Sequence, residues 1–553
     1  MFAQIVPLVR AGRYLAPTLT YRFPAEALAD LFVGSLIRVP LRNQKATGVI
    51  IEILSENTTD LSDSKIKTVD PFTPSVQFSP LQMEWVAWIQ KTYHATPSQA
   101  WRLMVPVALQ KARKTRTPSP FQGVIQNSPE GEDHDLRLQG NFRKPTVLQS
   151  LPGVRPLEYF KKIVKKTIEE GRQALWLVPE KSAIPLAIDC FKKSLGDRIA
   201  IFHSGLTEAE EGREWWKIYS GHASLVVGTR SALFAPIRHL GCVLIEDEHA
   251  WTYQEEQAPY YNAPTAAAAL AELHKARLVL SSATPRAESF YKTAVTKEWE
   301  WVSVGTRHAL SLQTPKIHVV DMREELQKRN FGIFSMPLQK KLSECLEQKE
   351  QAILFVNLRG VAGAILCRDC GAGVRCPKCD ISLTHHRDKG GILLCHQCGY
   401  TEPLPALCPR CRSPRIKSVG LGTERVEQEA KKLFPSARVL RVDQDTSEGE
   451  NPHLLLQDYD ILVGTQKIAG SKPVALVGMV LADIGIHAPD FRSSERTFQQ
   501  IMTMAGLCKK SGELIVQTYA PELPAIRFAA EYRYEDFMNQ ELEFRKQWKR
   551  SPY

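Results

Sequence analysis

Residues 367–411 read CRDCGAGVRCPKCDISLTHHRDKGGILLCHQCGYTEPLPALCPRC, and the rest of the chain is parsed around this stretch. It holds four Cys-x-x-Cys pairs: Cys367/Cys370, Cys376/Cys379, Cys395/Cys398 and Cys408/Cys411. Two residues between cysteines let a tight turn aim both sulfurs at one ion, and two such turns complete a tetrahedral Zn–S₄ shell. Eight thiolates in this spacing point to two structural zinc ions. A disulfide framework fits poorly, because no secretory signal is recognised and a 553-residue chain needs no cross-links to build a core. Redox chemistry fits as poorly, since four tandem pairs with Gly and Pro in the turns form a ribbon pattern. The scattered Cys190, Cys242, Cys345 and Cys508 read as ordinary buried thiols.

On either side of this segment the pattern is α/β. Apolar runs at 351–356, 437–442, 460–463, 475–481 and 512–518 read as buried strands, and the cysteines interrupt the set after its first member. An earlier set lies at 174–178, 199–202, 224–227, 242–245 and 276–281, with helical stretches between several of them. Residues 1–70 instead alternate apolar and polar in short runs, as in TGVIIEIL at 47–54, which suggests a small β-barrel or sandwich. LQMEWVAWIQKTY at 81–93 changes to helical spacing, and a second helix opens at Pro97. By pattern alone this unit is a winged helix or a plain helical hairpin. Residues 111–144 are rich in Lys, Arg, Pro, Ser and Gly and read as an exposed linker. The formal charge of +11 favours a polyanionic partner, and no run approaches the roughly 18 apolar residues of a membrane span.

The order of motifs then becomes specific. LVPE (177–180), HSGL (203–206), GTRSALFAP (228–236), LIEDEHA (244–250) and SSATPRAES (281–289) are followed by FVNLRG (355–360) and the eight cysteines. GLGTERVE (420–427), FPSARVLRVDQD (434–445), ILVGTQ (461–466) and APDFRSSERTFQ (488–499) complete the series. This collinear set, from about residue 20 to residue 525, resembles the PriA family, the superfamily 2 primosomal helicases (primosomal protein N′) of bacterial replication restart.

The resemblance implies a multidomain α/β plan. Residues 1–72 would be a β domain that captures a 3′ DNA end, 73–110 a winged helix, and 145–310 the first RecA-like helicase lobe. The second lobe would comprise 311–366 and 412–525, with the zinc module at 367–411 inserted in it. Linear spacing leaves nested and sequential cysteine pairing open. The family implies nesting: Cys367, Cys370, Cys408 and Cys411 on one zinc, and Cys376, Cys379, Cys395 and Cys398 on the other. Residues 526–553 resemble the family helix that leads into a further C-terminal domain, which would then be missing.

The motor motifs depart from the family. A phosphate loop needs glycines whose amides wrap the phosphates, a lysine for their charge and a Ser/Thr for Mg²⁺. Where the family has GVTGSGKT this chain has SLPGVRPL at 150–157, so only Gly153 stays, Pro156 replaces the lysine and Leu157 the hydroxyl. Proline removes a charge and an amide donor together, and leucine cannot ligate magnesium. The family's DEEH box reads Glu246-Asp247-Glu248-His249, and its arginine motif reads TMAGLCKK at 503–510, with Leu507 and Lys510 at the arginine positions. Lysine substitutes only in part for a planar guanidinium, and leucine does not. GTQMIAKG becomes GTQKIAGS at 464–471, and no Gly-Lys-Ser/Thr tripeptide occurs elsewhere. Four changes together indicate a motor relieved of ATP hydrolysis. Nucleotide binding without turnover stays open.

DNA-facing residues are better kept. Trp251, Tyr253, Tyr260 and Tyr261 fall in the family's aromatic-rich loop, where rings serve as stacking platforms or as core. Tyr21 and Lys67 match the 3′-end pocket, although Thr20 replaces its acid, and Arg230 of the GTRSALFAP motif is a further candidate. The function expected is fork recognition and primosome assembly in the bacterial cytoplasm, at the nucleoid, with two Zn²⁺ and without ATP and Mg²⁺ as working cofactors. The partners implied by the resemblance are branched and single-stranded DNA, single-stranded-DNA-binding protein, primosome proteins and the replicative helicase loader, with no membrane. The alternatives are an active ATP-dependent 3′–5′ helicase and a non-catalytic protein-interaction scaffold.

Overall fold

The structure is a computed structural model that describes residues 1–9, 17–24, 32–42, 44–57, 59, 62, 65–69, 76–110, 144–304, 314–357, 364–386, 391–419, 422–442 and 458–553. The expected linker lies outside these apart from Lys144, as do the end of FVNLRG, the first two residues of GLGTERVE and the last three of FPSARVLRVDQD. The chain forms two compact units, Met1–Val147 with Pro156–Ser281, and Leu148–Arg155 with Ser282–Tyr553.

The first unit opens with four antiparallel strands, β1 (Phe2–Pro7), β2 (Leu19–Arg22), β3 (Leu36–Leu41) and β4 (Gln44–Leu54), in the order β2-β1-β4-β3. Alternation places Ala3, Ile5, Ile37, Val39 and Ile50 on a common core face. Helices Pro80–Tyr93 and Pro97–Met104 follow, each opened by a reciprocal capping box, Ser79 with Gln82 and Thr96 with Gln99. The described part of 73–110 forms helices and no named strand.

Strand β5 (Thr146–Gln149) precedes the parallel strands β6 (Gln173–Leu177), β7 (Ile199–Phe202), β8 (Leu225–Gly228), β9 (Leu240–Ile245) and β10 (Arg277–Ser282). The last five run in the order β10-β9-β6-β8-β7. Every residue of β6, β8 and β9 is buried. Helices cover both faces of such a sheet, so its strands read as continuous apolar runs.

In the second unit β11 (Glu300–Ser303) is followed by β12 (Lys316–Asp321) and β13 (Ala352–Phe355). The cysteine module inserts after β13 as a five-stranded antiparallel sheet. Its strands are β14 (Ala364–Cys367), β15 (Thr384–His386), β16 (Ile392–Leu394), β17 (Thr401–Pro403) and β18 (Ile416–Val419), in the order β17-β16-β15-β14-β18. The lobe resumes with β19 (Val439–Val442), β20 (Ile461–Gly464), β21 (Val474–Met479) and β22 (Cys508–Thr518). Its six strands are all parallel, ordered β12-β22-β21-β13-β20-β19.

The final helix, Tyr534–Gln547, packs back onto this unit. Phe498 and Phe537 stack at 4.4 Å, and the Tyr534 hydroxyl donates to the Pro285 carbonyl at 2.8 Å. Among the described residues no helix is long and apolar enough to cross a membrane.

Candidate functional site

The four cysteine turns share one local design. In each, the first cysteine's N–H donates to a carbonyl five residues on: Ala372, Ile381, Tyr400 and Ser413 for Cys367, Cys376, Cys395 and Cys408. Its own carbonyl accepts the N–H of the fourth residue on: Gly371, Asp380, Gly399 and Arg412. Those four residues all have positive φ, between 51° and 74°. The left-handed residue turns the chain back sharply, so both sulfurs of a pair face the same point.

The folded module brings together Cys367, Cys370, Cys408 and Cys411 in one group and Cys376, Cys379, Cys395 and Cys398 in the other. This is the nested pairing. The Cys367–Cys411 and Cys370–Cys408 sulfurs lie 3.6 Å apart, and Cys376–Cys398, Cys379–Cys395 and Cys379–Cys398 are separated by 3.5, 3.4 and 3.8 Å. Four sulfurs about 2.3 Å from a tetrahedral zinc stand roughly 3.8 Å from one another. The donor chemistry and the spacing therefore fit one Zn²⁺ in each group. When bound, the ion supplies cross-links that the small apolar core of Ile365, Val374, Ile381, Leu383 and Leu393 cannot supply alone.

The module is seated on its lobe by backbone contacts. A Cβ at Gly371 would clash with the Tyr519 carbonyl oxygen, and its φ is +67°, so only glycine fits there. A Cβ added at Gly373 would likewise clash with the ring of buried His487. At the other end Arg550 donates to the Cys379 carbonyl.

The altered phosphate loop has a definite structure. Gly153 adopts φ +74° and belongs to the second unit, where a Cβ on it would stand 2.5 Å from the Gly506 carbonyl oxygen. A Cβ on Gly506 would stand 2.5 Å from the Gly153 nitrogen. The two backbones thus touch where a side chain of either would clash. Leu507 is buried in the core cluster of the second lobe, and its carbonyl accepts the Val474 N–H at 2.8 Å. Lys510 is exposed on β22.

In the first unit Pro156 stands at the cap of helix Leu157–Glu169 without a side-chain capping bond, and Glu158 lies in the first turn. That helix start therefore lacks an amide donor and carries a charge that repels anions. Glu246 is buried, and its Oε1 accepts the Trp176 indole N–H at 2.9 Å. Asp247 is exposed with φ +46°, Glu248 is buried, and the Glu248 N–H donates to the Ser281 carbonyl at 2.9 Å. His249 is half-buried.

The DNA-facing candidates divide. Tyr253 is 1% exposed and its hydroxyl donates to the Glu246 carbonyl at 2.7 Å, so its ring lies in the core. Tyr21 is 3% exposed, with its hydroxyl donating to the Pro40 carbonyl at 3.1 Å and burial pushing that phenol up to about 12. Tyr261 is also buried. Arg230 spends its guanidinium inside the protein, on both Glu255 oxygens at 3.1 and 3.2 Å and on the Thr252 carbonyl at 2.7 Å. It fixes the base of the aromatic loop. Tyr260 is 64% exposed, Trp251 is half-buried with its indole on Glu256 at 3.2 Å, and Lys67 is exposed with its ammonium on the Arg42 carbonyl at 2.8 Å.

Fold and site together define a tandem α/β protein with a double Cys₄ module inserted in its second lobe. Residues 5–106 match the family model of the PriA 3′ DNA-binding domain, and residues 376–403 match that of the PriA DNA helicase Cys-rich region. The Replication restart protein PriA of Rickettsia felis is 30% identical over 570 residues, covering 99% of this chain and 86% of the relative. The chain belongs to the PriA family. The Bacillus subtilis (strain 168) Replication restart protein PriA is 41% identical over 429 residues, 75% of this chain and 53% of that protein. The chain spans about half the length of that relative and of its Synechocystis counterpart, where the match covers 52%. Among solved structures, RecG bound to a three-way DNA junction aligns with a TM-score of 0.41 at 12% identity, over 85% of this chain and 52% of that one.

Proposed function

We propose that this chain serves replication restart by binding branched and single-stranded DNA and promoting primosome assembly without hydrolysing ATP. The observation that carries the loss of hydrolysis is the contact of Gly153 with Gly506, which leaves the remaining glycine of the loop pressed against another backbone. The donor set agrees. Pro156 offers no amide, Leu157 no hydroxyl, Leu507 no guanidinium, and one oxygen of Glu246 is held by Trp176. These residues do not fit Mg²⁺–ATP as the family's motifs would.

Support for DNA binding comes from the match of residues 5–106 to the 3′ DNA-binding domain and from the net charge of +11. The residues that meet the strand in this reading are Tyr260, Trp251 and Lys67. In this reading the partners are those of the family: single-stranded-DNA-binding protein, primosome proteins and the replicative helicase loader, in the bacterial cytoplasm at the nucleoid.

The test is phosphate release with and without forked DNA, alongside fork and blunt-duplex binding over a salt series. The expected result is no DNA-stimulated turnover, together with fork binding that exceeds duplex binding and falls steeply as salt rises. Robust DNA-stimulated turnover abolished by Glu246→Ala, or equal binding to forks and blunt duplex, overturns the reading.

A further inference from the structure

Outside the two Cys₄ groups, the cysteine module brings together a second kind of metal-ligating side chain. His386 ends β15, and the antiparallel register pairs it with Ile392 of β16. Four residues beyond Ile392, His396 sits inside the third cysteine turn, which is closed by the Cys395 N–H on the Tyr400 carbonyl at 2.8 Å. Hairpin and turn carry the two imidazoles to the same edge. There His386 Nε2 and His396 Nε2 stand 3.1 Å apart, with ring centroids at 5.1 Å and planes inclined by 58°.

Two imidazole nitrogens bound to one ion at about 2.0–2.1 Å are separated by roughly 2.9–3.4 Å, from the octahedral to the tetrahedral angle. The observed separation lies inside that range. The eight cysteine sulfurs are already gathered four and four in the two metal groups, and neither group includes a histidine. His396 is exposed and His386 half-buried, so water can complete a coordination shell at the pair. Imidazole selects zinc, copper and nickel and leaves the hard oxygen-seeking ions Mg²⁺ and Ca²⁺ aside.

We propose that His386 and His396 form a two-imidazole site for a divalent transition-metal ion, separate from both Cys₄ centres. Both ligands are held by backbone pairing before the ion arrives, one by the β15–β16 ladder and the other by the third cysteine turn. An ion there would join the hairpin to that turn.

The experiment uses the full chain with both Cys₄ groups loaded, checked as two zinc ions per chain by elemental analysis. The protein is dialysed to equilibrium against a NiCl₂ series, and zinc and nickel are both counted. The expected result is one nickel per chain above the retained zinc, weakened at least tenfold by His386→Ala and by His396→Ala. His385→Ala is the control. Its side chain alternates to the other face of β15, so it should leave nickel binding unchanged. Because His396 lies between Cys395 and Cys398, its replacement can disturb the zinc beside it, and His386→Ala alone then decides. Retention of two zinc ions with no nickel bound overturns the proposal and leaves the 3.1 Å contact as an ordinary hydrogen bond between the rings. Nickel binding that His386→Ala does not weaken overturns it equally, as adventitious surface uptake.

Discussion

The guanidinium of Arg545 is fully buried against the carboxylate of Glu495, at 2.5 Å. Glu541, one turn back on the same helix, accepts from Arg545 at 2.9 Å. The other oxygen of Glu495 accepts the Ala287 N–H at 2.9 Å, so the last helix is tied through one carboxylate to the SSATPRAES segment. Arg492 meets Glu288 of that segment at 2.6 Å. Opposing charges act on these groups against burial. Arg286, Arg492 and Arg545 hold the Glu288 carboxyl well below its usual range, and the carboxylates raise Arg545.

Replacing Arg545 with alanine leaves buried Glu541 without its cation and buried Glu495 with only Arg492, at 3.8 Å. Breaking a buried pair by removing one partner costs roughly 3–5 kcal/mol. Arg545→Ala should lower the urea midpoint of the second unit accordingly, and Arg545→Lys should recover only part, because one ammonium cannot reproduce the guanidinium fork. A loss under about 1 kcal/mol for the alanine variant would show that the network is not a structural tie.

The nested cysteine groups make a stoichiometric prediction. Cys395→Ser should reduce bound zinc from two ions to one by emptying the inner group, and Cys408→Ser should do the same through the outer group. Elemental analysis of purified protein reads the count, with limited proteolysis across 376–403 reporting loss of the inner turn. Structural zinc contributes its binding energy to folding, so the inner variant should be cut where the wild type is not. Two zinc ions retained in Cys395→Ser would refute the assignment.

Much of the architecture was legible because buried parallel strands write themselves as apolar runs, as LGCVLI of β9 does. The four cysteine pairs were legible for a similar reason, since a ligand spacing is a local property. What the spacing left open was long-range: nested and sequential pairing use the same turns. The aromatic loop shows the opposite failure. Tyr253 and Tyr260 look alike in a polar stretch, and only the fold decides that one ring is core and the other exposed. Arg545 was hidden because Glu and Arg four residues apart on a helix usually mark a solvated face. The His386–His396 contact was hidden because a hairpin lies between the two residues.

The contact of Gly153 with Gly506 should appear as coupling between two substitutions. Gly153→Ala adds a Cβ in the left-handed region and against the Gly506 carbonyl, while Gly506→Ala adds one against the Gly153 nitrogen. Each should lower thermal stability, by about 1–2 kcal/mol from conformation alone at Gly153. The double variant should cost less than the sum, since one displacement of the loop relieves both clashes. Strict additivity in thermal or urea unfolding would show that the Gly153 and Gly506 backbones do not touch.

The last expectation concerns acid sensitivity of the first unit. His274 caps helix Ala263–Leu273 and is buried beside Trp85, Leu233 and Leu270. Burial, then the positive charge of Arg172 and the neighbouring His239, push its imidazole down to about 4. Arg172 stays close because it donates to the His274 carbonyl at 2.8 Å. In the unfolded chain the same ring takes a proton near pH 6.5, so between about 6.5 and 4 the unfolded state binds more protons than the folded one. Stability is therefore complete above about pH 6.5 and declines as pH falls toward 4, by roughly 3 kcal/mol at most for this residue. Urea unfolding followed by tryptophan fluorescence at several pH values reads the effect, because Trp85, Trp176 and Trp215 are all buried in this unit. His274→Gln cannot be protonated and should flatten the decline over that window, while the contribution of His239, lowered by burial and by Arg238 and Arg172, persists. An unchanged slope in the variant would show that the ring is accessible to water in the folded state and that the acid sensitivity arises elsewhere.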